Sequence, residues 1–138
     1  MIINKKTIRR VFAALTLTAI VGTSSYAQTS YEAALEKIDA KHQDCLDNSD
    51  DMIVCAGDYY KVLDSMMAIV LKAAIKETPN TEKVGLRTEQ SEWNSSRILK
   101  FREIEANAKE NGDDKSVALE NKAAIIRERI DELVGKLK

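Results

Sequence analysis

Proline occurs once and glycine five times in 138 residues, so few positions force a helix to break. Aromatic residues are also scarce, with one tryptophan, two phenylalanines and four tyrosines. A core must then be built from aliphatic side chains, alanine and methionine, which favours packed helices over a β-sandwich. A single histidine, His42, excludes the catalytic dyads and metal clusters that need two. There is no glycine-rich phosphate loop and no G-x-S-x-G turn, so two common routes to enzyme chemistry are absent. The carboxylates are spread among lysines and arginines, and neighbours such as Glu103 and Glu105 point to different sides of a helix. Catalytic, cofactor-binding and metal-binding residues are therefore all assigned as none, and the chain is read as a non-enzyme.

Basic residues are unevenly placed. Lys5, Lys6, Arg9 and Arg10 form a short basic start. Val11 to Gly22 is apolar, and Ser25-Tyr26-Ala27 has the small-x-small pattern read by signal peptidase. A spanning helix needs ~20 apolar residues, more than this run supplies before Thr23, Ser24 and Ser25. Residues 1-27 are accordingly read as a cleavable signal peptide, cut after Ala27, and 28-138 as one exported domain, periplasmic or secreted. Past the leader, 17 basic residues face 22 acidic ones, a formal charge of -5. That excludes a nucleic-acid binder, whose phosphate contacts need clustered positive charge. It suits a cationic partner, although an acidic surface is also an ordinary route to solubility.

Export makes the environment oxidising, so Cys45 and Cys55 are read as a disulfide. The alternative is a metal site of His42, Cys45 and Cys55, whose spacing fits no common zinc pattern. His42 itself lies among Lys41, Gln43 and Asp44 and is expected at the surface.

Four amphipathic stretches follow. Thr29-Ser30-Tyr31-Glu32 reads as a capping box opening a first helix to about Leu46, with Tyr31, Leu35, Ile38 and Cys45 on one side. Ser49 is a plausible cap for a second helix from about Asp50 to Glu77. Its inward face is Met52, Cys55, Tyr59, Leu63, Met66, Val70 and Ala73, with Met52 and Met66 as core rather than soft-metal ligands. Thr78-Pro79-Asn80 ends it. A third helix, from about Thr81 to Glu110, carries Leu86, Gln90, Trp93, Arg97, Phe101, Ile104 and Ala108 inward. It stops at Asn111-Gly112, where glycine can turn left-handed. From about Asp113 a fourth helix steps through Leu119, Ala123, Ile126, Ile130, Leu133 and Leu137, a narrow heptad seam. The fold expected is all-α, a small antiparallel bundle of about four helices with one disulfide. The last seam packs within the chain or serves a homodimer.

Some of these residues carry a resemblance. Asp44-Cys45 precedes Val54-Cys55 by ten positions, Leu63-Asp64 follows, and Gln90-x-x-Trp93-x-x-x-Arg97 and Arg129-x-x-x-Leu133 close the pattern. Together they resemble the family of exported bacterial proteins named for the LprI-type lysozyme inhibitor, over about Asp44 to Leu133. Many members carry a second cysteine pair, where this chain has Phe101 and a position near Asn121, and Met67 stands where tyrosine is common. The resemblance implies binding and inhibition of lysozyme, a muramidase that in its C-type form is strongly basic. The other partner considered is a different exported protein. An arginine in an apolar stripe needs a counter-charge. Arg97 is therefore expected to reach Asp64 between the second and third helices, with Gln90 serving nearby polar groups and Trp93 filling the gap. The competing reading has Arg97 snorkelling to water.

Overall fold

The computed structural model describes residues 25–137, and the basic and apolar stretches expected to form a signal peptide lie outside them. Four helices follow in order: α1 (Tyr26–Asn48), α2 (Met52–Glu77), α3 (Lys83–Asn111) and α4 (Lys115–Val134). No strand occurs among the described residues.

Short connections reverse the chain three times, so successive helices run antiparallel and α2 and α4 run parallel. These two form the centre. Gly57 lies beside Leu119 near one end, and Glu77 and Leu86 approach Gly135 and Leu137 at the other. Small residues permit the close approach, with Ala56 and Ala74 on α2 and Ala123 on α4 at 0–1% exposure. Between them pack Leu63, Val70, Ile126, Ile130 and Leu133, all fully buried. α1 lies against α2 and α4 through Leu35, and α3 leans on the central pair from elsewhere. From Ala123 to Leu137 the fourth-helix heptad is thus filled from within the chain, and Leu119 at its start is half-buried. The seam considered for a homodimer is therefore covered over most of its length.

Local signals explain the ends, with some shifts from expectation. α1 begins before the Thr29 box because Ser25, one turn upstream, accepts from the Gln28 amide at 3.1 Å. Ala27 and Gln28 favour helix, so the helix extends to that earlier cap. Thr29 instead donates its hydroxyl to the Ser25 carbonyl. α2 is capped by Asp51, which accepts from Val54 N at 3.0 Å. Ser49 ends α1 and accepts from Asp51 N, so it organises the loop rather than capping α2. Gly112 closes α3 with φ 69°, the left-handed geometry a glycine adopts freely. Asp114 opens α4 by accepting from Ser116 N at 2.8 Å.

Cys45 and Cys55 form the disulfide, with Cα atoms 5.7 Å apart. It joins the last turn of α1 to the first turn of α2. The α2 face is rotated from the expected one: Ala56, Met67 and Ala74 are buried, whereas Met52 is 41% exposed. Met52 precedes the point where α4 begins to cover the helix, which removes it from the core.

Candidate functional site

α3 buries fully only Leu86 and Gln90. Its attachment to the rest of the molecule is therefore largely polar and aromatic, and it runs through the motif residues. The inward row expected from the sequence is oriented as expected, since Trp93, Arg97, Phe101, Ile104 and Ala108 are all half-buried.

Arg129 on α4 is 3% exposed. Its Nε donates to Gln90 Oε1 at 3.0 Å, and its Nη1 donates to Glu89 Oε1 at 2.8 Å and Glu132 Oε2 at 2.6 Å. Gln90 Nε2 in turn donates to Asn94 Oδ1 at 3.1 Å. A buried guanidinium is costly unless paired and hydrogen-bonded, and here two carboxylates and an amide meet it. The hydrogen bond from Arg129, joined by one from Lys136, holds the Glu89 carboxyl below its usual range despite an opposing effect of burial.

Arg97 approaches Asp64 with Nη1 and Oδ1 2.9 Å apart, an ion pair linking α3 to α2. Its Nη2 lies 3.5 Å from the Tyr60 hydroxyl. Trp93 has two guanidinium carbons near its ring, that of Arg97 at 5.7 Å and that of Arg129 at 5.8 Å. Both distances fall within cation–π range. Phe101 adds a second ring, 5.1 Å from Arg97. Leu63 and Leu133 are buried in the central core beside this cluster. The motif positions therefore gather where α2, α3 and α4 meet.

Arg97, expected within an apolar stripe, keeps 21% of its side chain exposed, and the polar group that Gln90 serves is Arg129. Arg129 was noticed only as part of a motif. It follows Ile126 and precedes Ile130 and Leu133 on an apolar face, and that placement was a legible signal of burial.

A second cluster was missed. His42 is 11% exposed at its side chain, stacks on Tyr59 with ring centroids 4.0 Å apart, and lies 2.8 Å from Glu120. It is therefore not a surface residue: the charged neighbours of His42 sit on α1's outer side while His42 itself turns toward α2 and α4. Tyr59 donates to Asp39 Oδ1 at 2.7 Å, and Arg127 reaches Asp39 Oδ2 at 3.2 Å. Burial first, then the bond to Asp39, push the Tyr59 hydroxyl above its ordinary value. Beside it, a mostly apolar recess of about 140 Å³ is lined by Ile38, His42, the disulfide, Tyr59 and Val62. Both cysteines are in the disulfide, so the metal alternative loses its thiolates. Among the described residues no group of three or more histidine, cysteine or acidic side chains could hold a metal ion.

The arrangement binds α1 to α2 and α4, and α3 to the same pair, through charged and aromatic side chains. It positions helices. The model of the family described as Lysozyme inhibitor LprI matches residues 40–133, from the middle of α1 to the last turns of α4. No curated protein and no solved structure matches the chain.

Proposed function

We propose that this chain, which belongs to the LprI lysozyme inhibitor family, is exported and inhibits lysozyme by binding it as a folded protein. The observation carrying this reading is the extent of the family match, which takes in parts of all four helices and every motif residue above. In this reading the Gln90, Trp93, Arg97 and Arg129 cluster, with Asp64, is scaffold. It sets the pose of α3, and an outer surface meets the partner.

Charge supports a basic partner. Between Lys41 and Lys61 the chain has five aspartates, Asp44, Asp47, Asp50, Asp51 and Asp58, and no lysine or arginine. The α1–α2 connection, with Asp50 and Asp51, lies beside Asp114 at the start of α4, and Asp44 and Asp47 fall in the last turns of α1, so one end of the bundle is acidic. Such an end speeds encounter with a cationic protein and weakens in effect as salt rises. Residues 1–27 act as the leader in this proposal, and 28–138 as the working domain. Cleavage after Ala27 would remove Ser25 and leave Thr29 to cap α1. Among the described residues no helix is long and apolar enough to cross a membrane.

The test is a purified, processed protein mixed with a basic C-type lysozyme acting on cell walls. The expected result is a 1:1 complex with loss of muramidase activity that persists at physiological salt. Full activity with no complex would refute the reading.

A further inference from the structure

α2 is the most apolar helix of the four, yet one of its faces is covered by no neighbour. Along that face Asp58, Lys61, Ser65, Ile69 and Lys72 are all exposed. Val62 and Ile69 stand 42% and 53% exposed, and a shallow groove runs along Lys61, Val62, Ser65, Met66 and Ile69. The fold has already placed α1, α3 and α4 on the other sides of the helix; Val62 borders the recess beside α1 and Met66 leans on the core, while Ile69 meets no other helix among the described residues.

The row has an internal symmetry. Its steps are three, four, four and three residues, which read the same from either end with Ser65 at the centre. The charges oppose across that centre, with Asp58 on one side and Lys72 on the other. We propose that this face pairs with the same face of a second copy of the chain, α2 against α2 in antiparallel, with Ser65 at the two-fold axis. Two helices meeting this way place Asp58 of each copy against Lys72 of the other, twice over. The aliphatic stem of Lys61 lies over Ile69, Val62 meets the small Ala68, and the small Ser65 lets the backbones approach at the crossing. An isologous contact demands this self-complementarity. A parallel pairing would set Asp58 against Asp58 and Lys72 against Lys72, and like charges directly opposed disfavour it. Among the described residues Asp58 pairs with the adjacent Lys61 at 4.0 Å, both side chains more than 70% exposed, which leaves the aspartate accessible to a second copy. The seam on α4 considered from the sequence is closed, and the open face of α2 takes its place.

Sedimentation velocity over a wide concentration range, with the full set of charge variants, tests this. Wild type is expected to shift from monomer to dimer as concentration rises. Asp58→Lys and Lys72→Asp are each expected to weaken the dimer about tenfold, because each change falls on two symmetry-related pairs. Asp58→Lys combined with Lys72→Asp is expected to restore it. Both positions are exposed, and an unaltered far-UV helical signal shows that folding is retained. As an independent reading, Ser65→Cys is expected to cross-link two copies under mild oxidation, whereas Glu92→Cys on the outer side of α3 does not. A wild type that stays monomeric at the highest concentration overturns the proposal. So does a double variant no better than the singles, or a set of variants that lose lysozyme binding without any change in mass.

Discussion

Gln90 on α3 and Arg129 on α4 meet side chain to side chain at 3.0 Å in the interior, 5% and 3% exposed. Neither is apolar, and each is the other's reason for being there. Around them α3 buries little aliphatic surface, so a helix of 29 residues is seated mainly by two arginines, their carboxylates and two aromatic rings. Such contacts depend on direction, and they specify one pose of α3 more sharply than a smooth apolar stripe would.

The two arginines differ in weight. Arg129→Met leaves Gln90 Oε1 buried without a donor, a loss expected at about 2 kcal/mol. Arg97→Leu removes a partly solvated pair and is expected to cost less than about 1 kcal/mol. Joining Arg129→Met to Gln90→Leu should recover part of the first loss, because both polar groups then leave together. Urea unfolding of the four proteins checks the order. An Arg97 variant less stable than the Arg129 variant would show that the seating of α3 has been misjudged.

The disulfide closes a short loop between α1 and α2, with the cysteines ten positions apart. Replacing both by serine is expected to cost about 2–3 kcal/mol, chiefly by freeing the unfolded chain. Cys55 is also buried, so a serine hydroxyl there adds to the loss. Thermal melts of the double variant, compared with reduced wild type, should agree. A variant that melts with oxidised wild type would rule the staple out as a source of stability.

Acid should loosen the grip of α4 on α3. Glu89 has a lowered pKa in the fold, through its bonds with Arg129 and Lys136. A depressed carboxyl stabilises the fold above its unfolded pKa, and that contribution is lost as pH falls through the folded value. Stability is therefore expected to decline below the ordinary glutamate range, and Glu89→Gln to flatten that decline. Melting temperature followed from neutral pH into acid measures it. Identical acid limbs for the two proteins would exclude a role for Glu89.

Alkali acts on the other cluster. The Tyr59 hydroxyl is raised from its ordinary 10.0, by burial and then by its bond to Asp39. The unfolded chain thus gives up this proton first, and stability should fall as pH rises above 10.0 toward the folded value. A spectrophotometric titration should show a late tyrosine phase, and Tyr59→Phe should remove it. A wild type without that late phase would contradict the burial of this hydroxyl.

Much of the fold is legible in the sequence. On α3 the period of three and four, with Gln90, Trp93 and Arg97 inside it, placed the whole inward row on the side that packs. On α4 Ala123, Ile126, Ile130 and Leu133 were all assigned inward and are all buried. The ion pair of Arg97 with Asp64 was anticipated because an arginine in such a row needs a counter-charge. What escaped were the choices among equivalent partners. Periodicity says that Gln90 points inward but not which helix supplies the other half of its hydrogen bond. It gives a lone histidine a solvated face when its neighbours are charged, whereas His42 turns onto Tyr59. Cap positions slid by a few residues because each start offers two capping side chains within a turn: Ser25, ahead of Thr29, takes the Gln28 amide, and Asp51, after Ser49, takes that of Val54.

The sequence by itself determined that residues 25–137 are helical, where the helices turn, and that two cysteines ten apart would join the first two. These follow from local chemistry: spacing of apolar groups, one proline, a glycine able to turn left-handed, and a pair of cysteines with no third to compete. Tertiary structure alone decided that α2 and α4 form a parallel centre, that Gln90 pairs with Arg129, and that α2 keeps one face open. Those outcomes depend on how four helices share a limited volume, and small residues at Ala56, Ala74 and Ala123 settled which two could come closest.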